Sequence, residues 1–134
     1  MIDVLFIDLR EEIQEGPRGF SAAPWRDRVR VPGDFRGSLH LVSIRPGQVR
    51  GNHLHPGHRE WLYFFSGRGI FIWEAEPGRL QEQEIREHFL IHIPPGVAHA
   101  LKNIGPETGY LIAWQEASGP EVAELETVPR PLVR

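Results

Sequence analysis

The chain has 134 residues, of which 40% are hydrophobic and 25% charged, as in an ordinary globular domain. Its formal charge of -3 gives no basic surplus that would attract nucleic acid. Without cysteine there are no disulfides, thiolate metal sites or cysteine nucleophiles, so histidines and carboxylates would have to hold any metal. The apolar N-terminal run lacks the flanks of a signal peptide, and no apolar run has membrane-spanning length. We therefore expect a cytoplasmic protein with no membrane partner.

Short apolar runs alternate with turn residues along the chain. The first run predicts a strand over residues 2–7, and Asp8 then has the position of a helix cap. Residues 28–31 predict another short strand. The remaining predicted strands, bounded mostly by Pro and Gly, are residues 38–44, 60–65, 70–75, 80–86, 89–93, 98–103 and 110–115. The tail adds an edge strand near residues 121–128.

This spacing determines the fold class. Short strands with a turn every eight to twelve residues predict an all-β sandwich or closed barrel. The length suits one domain, residues 1–134. We place its barrel core at about residues 38–116, after an N-terminal strand and loop (1–37) and before a C-terminal tail (117–134).

Two histidines and a glutamate follow the period of β-structure. His53 and His55 are two residues apart, so on a strand their imidazoles face one side and can occupy neighbouring positions on one metal ion. Residues 56–59 suffice to turn the chain. Glu60 then begins the returning strand and offers an oxygen ligand, and Gly67 closes the next hairpin.

A second pattern lies further along the chain. Pro94 and Gly96 make a turn, and His99 opens the strand that follows. In a barrel, this strand can cross opposite the pair of His53 and His55. Three histidines and one carboxylate would then hold one divalent ion (Zn, Mn, Fe or Ni) and leave positions open for water or substrate.

The two patterns resemble the two conserved motifs of the cupin superfamily, in order and nearly complete. The resemblance covers about residues 38–115 and implies a cupin-type double-stranded β-helix, or jelly-roll barrel. The residues that match the family's metal ligands are His53, His55, Glu60 and His99. The sequence departs from the second motif at His88, where that motif usually has Gly. Because Gly tolerates positive φ better than His, this departure puts the turn before Phe89 in question.

Strand alternation and the remaining polar residues suggest how a small-molecule ligand would be bound. If Glu60 and His99 face inward, so do Leu62, Phe64, Leu101 and Asn103. Arg50 is either a solvated surface charge or a bidentate anchor for an anionic group at the barrel mouth. The candidate substrate-binding residues are Arg50, His92 and Asn103. We expect His58 to be exposed in its turn, His40 to point inward, and His92 to face the barrel mouth.

Exposed strand edges and outward aromatic side chains predict assembly. With Glu60 inward, Trp61, Tyr63 and Phe65 face the opposite side and leave apolar surface to be covered. Many cupins cover such surface by dimerising, so the resemblance points the same way. We expect a homodimer through sheet faces or an exchanged terminal strand.

A finer resemblance rests on the segment Arg50-Gly51-Asn52-His53-x-His55. It is similar to cupins of polysaccharide and nucleotide-sugar biosynthesis, including the zinc-binding cupin of capsular-polysaccharide reductases. That resemblance implies an isomerase- or epimerase-like enzyme acting on a small polar metabolite such as a sugar or nucleotide-sugar. An iron or manganese dioxygenase and a non-catalytic binding or sensing module stay open, because one fold hosts many functions. The catalytic base also stays open among Glu60, His92 and Tyr63.

Overall fold

The computed structural model describes residues 3–25, 28, 37–117 and 126–133. These residues form strands and a single short 3₁₀-helix, Arg10–Glu12, and no α-helix. In this part of the chain no helix is long and apolar enough to span a membrane. The strands are β1 (Leu5–Asp8), β2 (Gln14–Gly16), β3 (Gly19–Ser21), β4 (Gly37–Ile44), β5 (Val49–Leu54), β6 (His58–Ser66), β7 (Arg68–Glu76), β8 (Arg79–Arg86), β9 (Phe89–Ile93), β10 (His99–Asn103), β11 (Gly109–Ala117) and β12 (Val128–Pro129).

Two five-stranded antiparallel sheets make up the barrel. Their strand orders are β1-β9-β6-β11-β4 and β12-β5-β10-β7-β8, and β2 and β3 form a separate hairpin. Strands that are neighbours in a sheet are often far apart in sequence, and the two sheets share one apolar core. The all-β class that the strand spacing predicts is confirmed, and so is the jelly-roll barrel that the resemblance to cupins implies.

The inner core follows the predicted alternation. Leu62 and Phe64 of β6 pack against Phe71 of β7 and Leu101 of β10, so both sheets contribute to one interior. A second cluster lies on the outer face of the first sheet, where Leu9 and the partly buried Ile13, Ala22 and Trp25 pack against the aromatic side chains of β6. The outward surface that the sequence leaves uncovered is thus largely covered by the chain's own N-terminal segment: Trp61 is 6% exposed and Tyr63 3%.

The ends of the chain differ most from the predicted elements. Asp8 does not cap a helix through its side chain, and its carboxylate instead accepts hydrogen bonds from the backbone and the guanidinium of Arg10. Arg28 lies in a turn, and the rest of the predicted strand over residues 28–31 lies outside the described residues, as does most of the predicted edge strand over residues 121–128. The part of the tail that is described forms β12, an edge strand that pairs with β5.

The turn before Phe89 keeps its left-handed conformation although His stands there. His88 has φ +70°, and it is buried at 8% exposure. Its backbone N–H donates to the Phe64 carbonyl (2.7 Å), its carbonyl accepts from Leu9 (2.8 Å), and its Nδ1 lies 2.7 Å from the Tyr63 hydroxyl. These three hydrogen bonds offset a conformational cost of about 1–2 kcal/mol, so glycine is not required.

Candidate metal centre

The four candidate ligands are brought together by two neighbouring strands and one strand of the opposite sheet. β5 and β10 pair antiparallel, with His53 and His99 as partners across the ladder. His55 follows one residue after the end of β5. Glu60 is the third residue of β6, where it pairs with Gln115 of β11. All four side chains therefore point into the space between the two sheets at one end of the core.

The donor atoms lie within bonding range of a common point. One donor atom from each of the four residues lies within 4.8 Å of the others. His99 Nε2 is 3.3 Å from Glu60 Oε1, and His55 Nε2 is 3.8 Å from Glu60 Oε2. His55, Glu60 and His99 are buried, whereas His53 is only partly buried. His53 is therefore the most accessible member of the cluster.

Hydrogen bonds aim the imidazoles at the carboxylate. His99 Nδ1 donates to the Val97 carbonyl (2.9 Å), which leaves Nε2 with a lone pair directed at Glu60. His55 Nδ1 lies 3.3 Å from the Glu126 carbonyl, and its buried Nε2 has no hydrogen-bond partner among the described residues. Glu60 Oε2 accepts from Gln115 Nε2 at 2.5 Å. His99 Nε2 and Glu60 Oε1 are so close that either a proton on Nε2 or a metal ion must lie between them, and this donor set fits a divalent ion.

The charge states at neutral pH also suit metal binding. Burial, together with the neighbouring imidazoles of His99 and His55, lowers the pKa of His53 to about 4. Burial also lowers the pKa of His55. For Glu60, burial alone would raise the pKa, but hydrogen bonds with His99 and Gln115 outweigh it and bring the pKa to about 2. Neutral imidazoles and an ionised carboxylate are the forms that ligate metal.

A cavity of about 480 Å³ opens beside the cluster. His53, Glu60 and His99 lie in its wall, and most of the remaining wall is apolar. His40 also lines it, as the sequence predicts. Arg50 lies at the same cavity, is exposed, and donates from Nε to the Ser43 carbonyl (3.1 Å). The apolar wall residues are Val42, Val49, Leu62, Leu101, Leu111 and Ala113.

Two candidate substrate-binding residues lie elsewhere. His92 is on the outer face of β9, with its ring 4.5 Å from that of Trp61, so the prediction that it faces the barrel mouth is wrong. Asn103 points inward but is fully engaged with backbone. Its Nδ2 donates to the carbonyls of Ile44 (2.7 Å) and Glu107 (2.8 Å), and its Oδ1 accepts from the Gly105 N–H (2.8 Å). Asn103 thus stabilises turns and does not line the cavity.

Other polar residues at the site differ from what the sequence indicated. His58 was expected to be exposed but is 1% exposed, with its ring centroid 4.4 Å from that of His55. Gln115 lines the cavity and holds Glu60, a role that was not predicted. The sequence contains a pattern that indicates this role. Gln115 continues the inward period of Leu111 and Ala113 and so places a polar side chain at a core position.

The chain belongs to the cupin family, since the family described as Cupin domain matches residues 40–114. Over 118 residues it is 26% identical to the oxalate decarboxylase OxdC of Bacillus subtilis (strain 168), covering 74% of this chain and 31% of that protein. Its fold is similar to that of the capsular polysaccharide assembling protein CapF from Staphylococcus aureus (22% identity, TM-score 0.63, 74% of this chain and 28% of CapF).

A third similar protein is a mutant of the 3,4-ketoisomerase QdtA from Thermoanaerobacterium thermosaccharolyticum, solved with TDP-4-keto-6-deoxyglucose. The identity is 14% and the TM-score 0.64, over 90% of this chain and 85% of QdtA. The chain thus spans less than a third of OxdC and of CapF but most of QdtA. At these identities the two solved structures establish the likeness of the fold.

Proposed function

We propose that this cupin is a metal-dependent enzyme of the isomerase or epimerase type that acts on a small polar metabolite, with a sugar or nucleotide-sugar as first candidate. Its metal ligands would be His53, His55, Glu60 and His99. The observation that carries the proposal is the convergence of three imidazoles and one carboxylate at the wall of a cavity large enough for a small ligand.

The residues around the cavity suit such a reaction. A bound divalent ion supplies Lewis acidity at a substrate carbonyl. The apolar wall excludes water, which strengthens electrostatic interactions inside the cavity. The Arg50 guanidinium at the cavity can bind an anionic group, such as the phosphate of a nucleotide-sugar, in bidentate fashion. Gln115 holds the Glu60 carboxylate in place.

Two of the three candidate catalytic bases are poorly placed to accept a proton from a substrate in the cavity. His92 and Tyr63 both lie on the outer face of the first sheet, away from the cavity. Tyr63 is also an unsuitable base, because burial raises its pKa to about 12. If Glu60 is a metal ligand, His40 is the imidazole that remains along the described cavity wall outside the ligand set. We propose His40 as the group that accepts the proton from substrate carbon.

The substrate class draws on the fold relatives. CapF is described as a capsular polysaccharide assembling protein, and QdtA as a 3,4-ketoisomerase solved with a keto-sugar nucleotide. The description of CapF favours a carbohydrate substrate, and that of QdtA favours a keto-sugar nucleotide as the first substrate to test. The position of Arg50 also supports a nucleotide-sugar, because a diphosphate-linked sugar presents the anionic group that a guanidinium binds best.

The test is exchange of a carbon-bound proton with deuterated water. A keto-sugar nucleotide incubated with metal-loaded protein should take up deuterium next to its carbonyl, as followed by NMR. His99→Ala, with circular dichroism unchanged, should abolish the uptake, and metal-free protein should behave like the variant. Lack of exchange with any keto-sugar nucleotide would contradict the isomerase proposal.

The similarity to an oxalate decarboxylase favours a second class of substrate, a small carboxylic acid. The same four ligands suit an iron or manganese dioxygenase, and Arg50 would bind the carboxylate of a small acid equally well. Consumption of O₂ by iron- or manganese-loaded protein, in the absence of proton exchange, would select this candidate. Tight binding of a metabolite without any turnover would select a non-catalytic binding or sensing module.

We further propose that residues 1–134 form one cytoplasmic cupin domain that assembles as a homodimer through β4. In the described part of the chain, β4 is one of the two edge strands of the first sheet, and its Leu39 and Leu41 are 58% and 77% exposed. Light scattering at micromolar concentration should give twice the mass of one chain.

Leu41→Glu should shift this dimer to the monomer, because it would place a charge at the proposed contact. Leu80→Glu is the matched control, since Leu80 is 50% exposed on β8, an edge strand of the other sheet. This control should stay dimeric. A stable wild-type monomer, or loss of the dimer in the Leu80 variant alone, would contradict the assignment of β4.

A further inference from the structure

The last described segment, residues 126–133, lies along the strand that carries two of the four proposed ligands. We call it the C-terminal strap. Its Val128 and Pro129 form β12 and pair with Leu54 and His53 of β5. Hydrogen bonds extend the contact to the residues on either side of that pair. The strap therefore touches four consecutive residues, 52–55, although more than 70 residues of chain separate the partners.

Asn52 is the centre of this contact. It has φ +57°, directly after Gly51 at φ +91°, so the chain turns through two left-handed residues just before His53. Its side-chain Nδ2 donates to the Val133 carbonyl at 2.7 Å. Its Oδ1 accepts from the N–H groups of Leu132 (2.9 Å) and Val133 (3.0 Å), and its backbone carbonyl accepts from Arg130 N–H (2.7 Å). The strap thus forms hydrogen bonds with both the nitrogen and the oxygen of the Asn52 side-chain amide.

The other end of the strap reaches His55. The Glu126 carbonyl lies 3.3 Å from His55 Nδ1, and the Thr127 hydroxyl oxygen lies 3.2 Å from the same atom. A carbonyl can only accept, so Nδ1 is the protonated nitrogen in this contact, and Nε2 carries the lone pair that faces Glu60. His99 obtains the same support from Val97, two residues away. His55 obtains it from a segment at the far end of the chain.

We propose that the C-terminal strap positions His53 and His55 for metal binding and that Asn52 fastens it to the barrel. Asn52 is a positioning residue, because it acts through the neighbouring ligands and not on the metal or substrate. This inference rests on the proposed metal site. Groups that orient a ligating histidine typically change metal affinity about 10- to 100-fold when removed. The strap is therefore part of the metal site although it contributes no ligand.

The decisive variant is Asn52→Gly in the 134-residue chain. Glycine adopts a left-handed conformation without steric cost, so the backbone turn is kept while the three side-chain hydrogen bonds to the strap are removed. Zn²⁺ affinity is measured by competition with a chromophoric chelator, well below the melting temperature of the metal-free protein. We expect the Kd to rise about 10-fold or more, together with a smaller Zn²⁺-induced increase in Tm.

Two further variants separate positioning from simple support of the fold. Asn52→Asp keeps the acceptor for Leu132 and Val133 and loses the donor to Val133, so its Kd should lie between those of wild type and Asn52→Gly. Arg130→Ala removes the exposed ion pair of the strap with Glu74 (3.0 Å) and leaves the backbone bond to Asn52. Its Kd should equal that of wild type.

The outcomes are distinct. If Asn52→Gly lowers the Tm of the metal-free protein but binds Zn²⁺ within twofold of wild type, the strap only supports the fold and the inference is overturned. If the wild-type protein itself binds no divalent metal, the proposed function fails, and the inference fails with it. A raised Kd that follows the order Gly above Asp above wild type supports the role of the strap.

Discussion

Replacing His55 and His99 together with alanine should abolish metal binding. The two imidazoles approach Glu60 from different sides, and each is buried, so the variant leaves only His53 and Glu60 as donors. Two donors cannot fill the four positions around a zinc-like ion. Protein purified without a metal-affinity tag should carry about one divalent ion per chain in the wild type and less than about 0.1 in the double variant, as measured by elemental mass spectrometry.

The control for this variant removes two other histidines. His40 lies at the same cavity and His92 on the outer face of β9, and neither belongs to the ligand cluster. His40→Ala with His92→Ala should therefore keep the full metal content. Circular dichroism must show that both double variants are folded. Stoichiometric metal in the His55/His99 variant, or its loss in the control, would refute the ligand assignment.

The cluster could be predicted from the sequence because its geometry is mostly local. His53, His55 and Glu60 lie on either side of the short turn that joins β5 to β6, so a period of two and the length of that turn largely determine which side chains meet, although the two strands belong to opposite sheets. His99 required the second motif, since nothing local links it to β5. His53 and His99 pair across the ladder. The motif implied that the two residues meet, but their spacing in the sequence did not allow this to be derived.

The errors at His92 and His58 have separate physical causes. Alternation identifies a face only when one side of a strand is polar, and β9 (Phe89–Ile93) is buried on both sides. Ile91 and Ile93 enter the inner core while Leu90 enters the outer cluster, so nothing in the sequence decides the side of His92. For His58, the error was in the strand boundary. β6 begins at His58, which places it on the inward face with Glu60.

The contacts of the tail could not be predicted. Asn52 and Val133 are separated by 81 positions, and His55 and Glu126 by 71. A hydrogen bond between backbone and side chain at that separation leaves no periodic pattern in the sequence. Asn103 illustrates the same limit within the barrel. Its inward orientation follows from alternation, but its capture by the backbone of Ile44 and Glu107 depends on tertiary contacts.

Gly51→Ala should be among the most destabilising single changes next to the metal centre. A Cβ at this position would lie 2.8 Å from the His99 carbonyl oxygen and 3.1 Å from the Ala100 Cα. Both are backbone atoms of β10 at the point where its register with β5 shifts, so relief requires moving the strand that carries His99. Left-handed strain of about 1–2 kcal/mol adds to an overpacking cost of about 1–3 kcal/mol. Urea unfolding of the metal-free protein should therefore show a loss of about 2–5 kcal/mol.

Gly47→Ala separates the two contributions. Gly47 also has a left-handed φ, +77°, but a Cβ there would meet nothing within 4 Å. It should lose only the strain of about 1–2 kcal/mol and bind metal as the wild type does. Gly51→Ala should in addition bind Zn²⁺ more weakly, because a shift of β10 moves His99 away from Glu60. Equal losses of stability in the two variants, with equal metal affinity, would mean that only conformational strain matters at Gly51. A larger loss in Gly51→Ala alone would mean that the close approach of β5 to the His99 backbone holds this ligand in place.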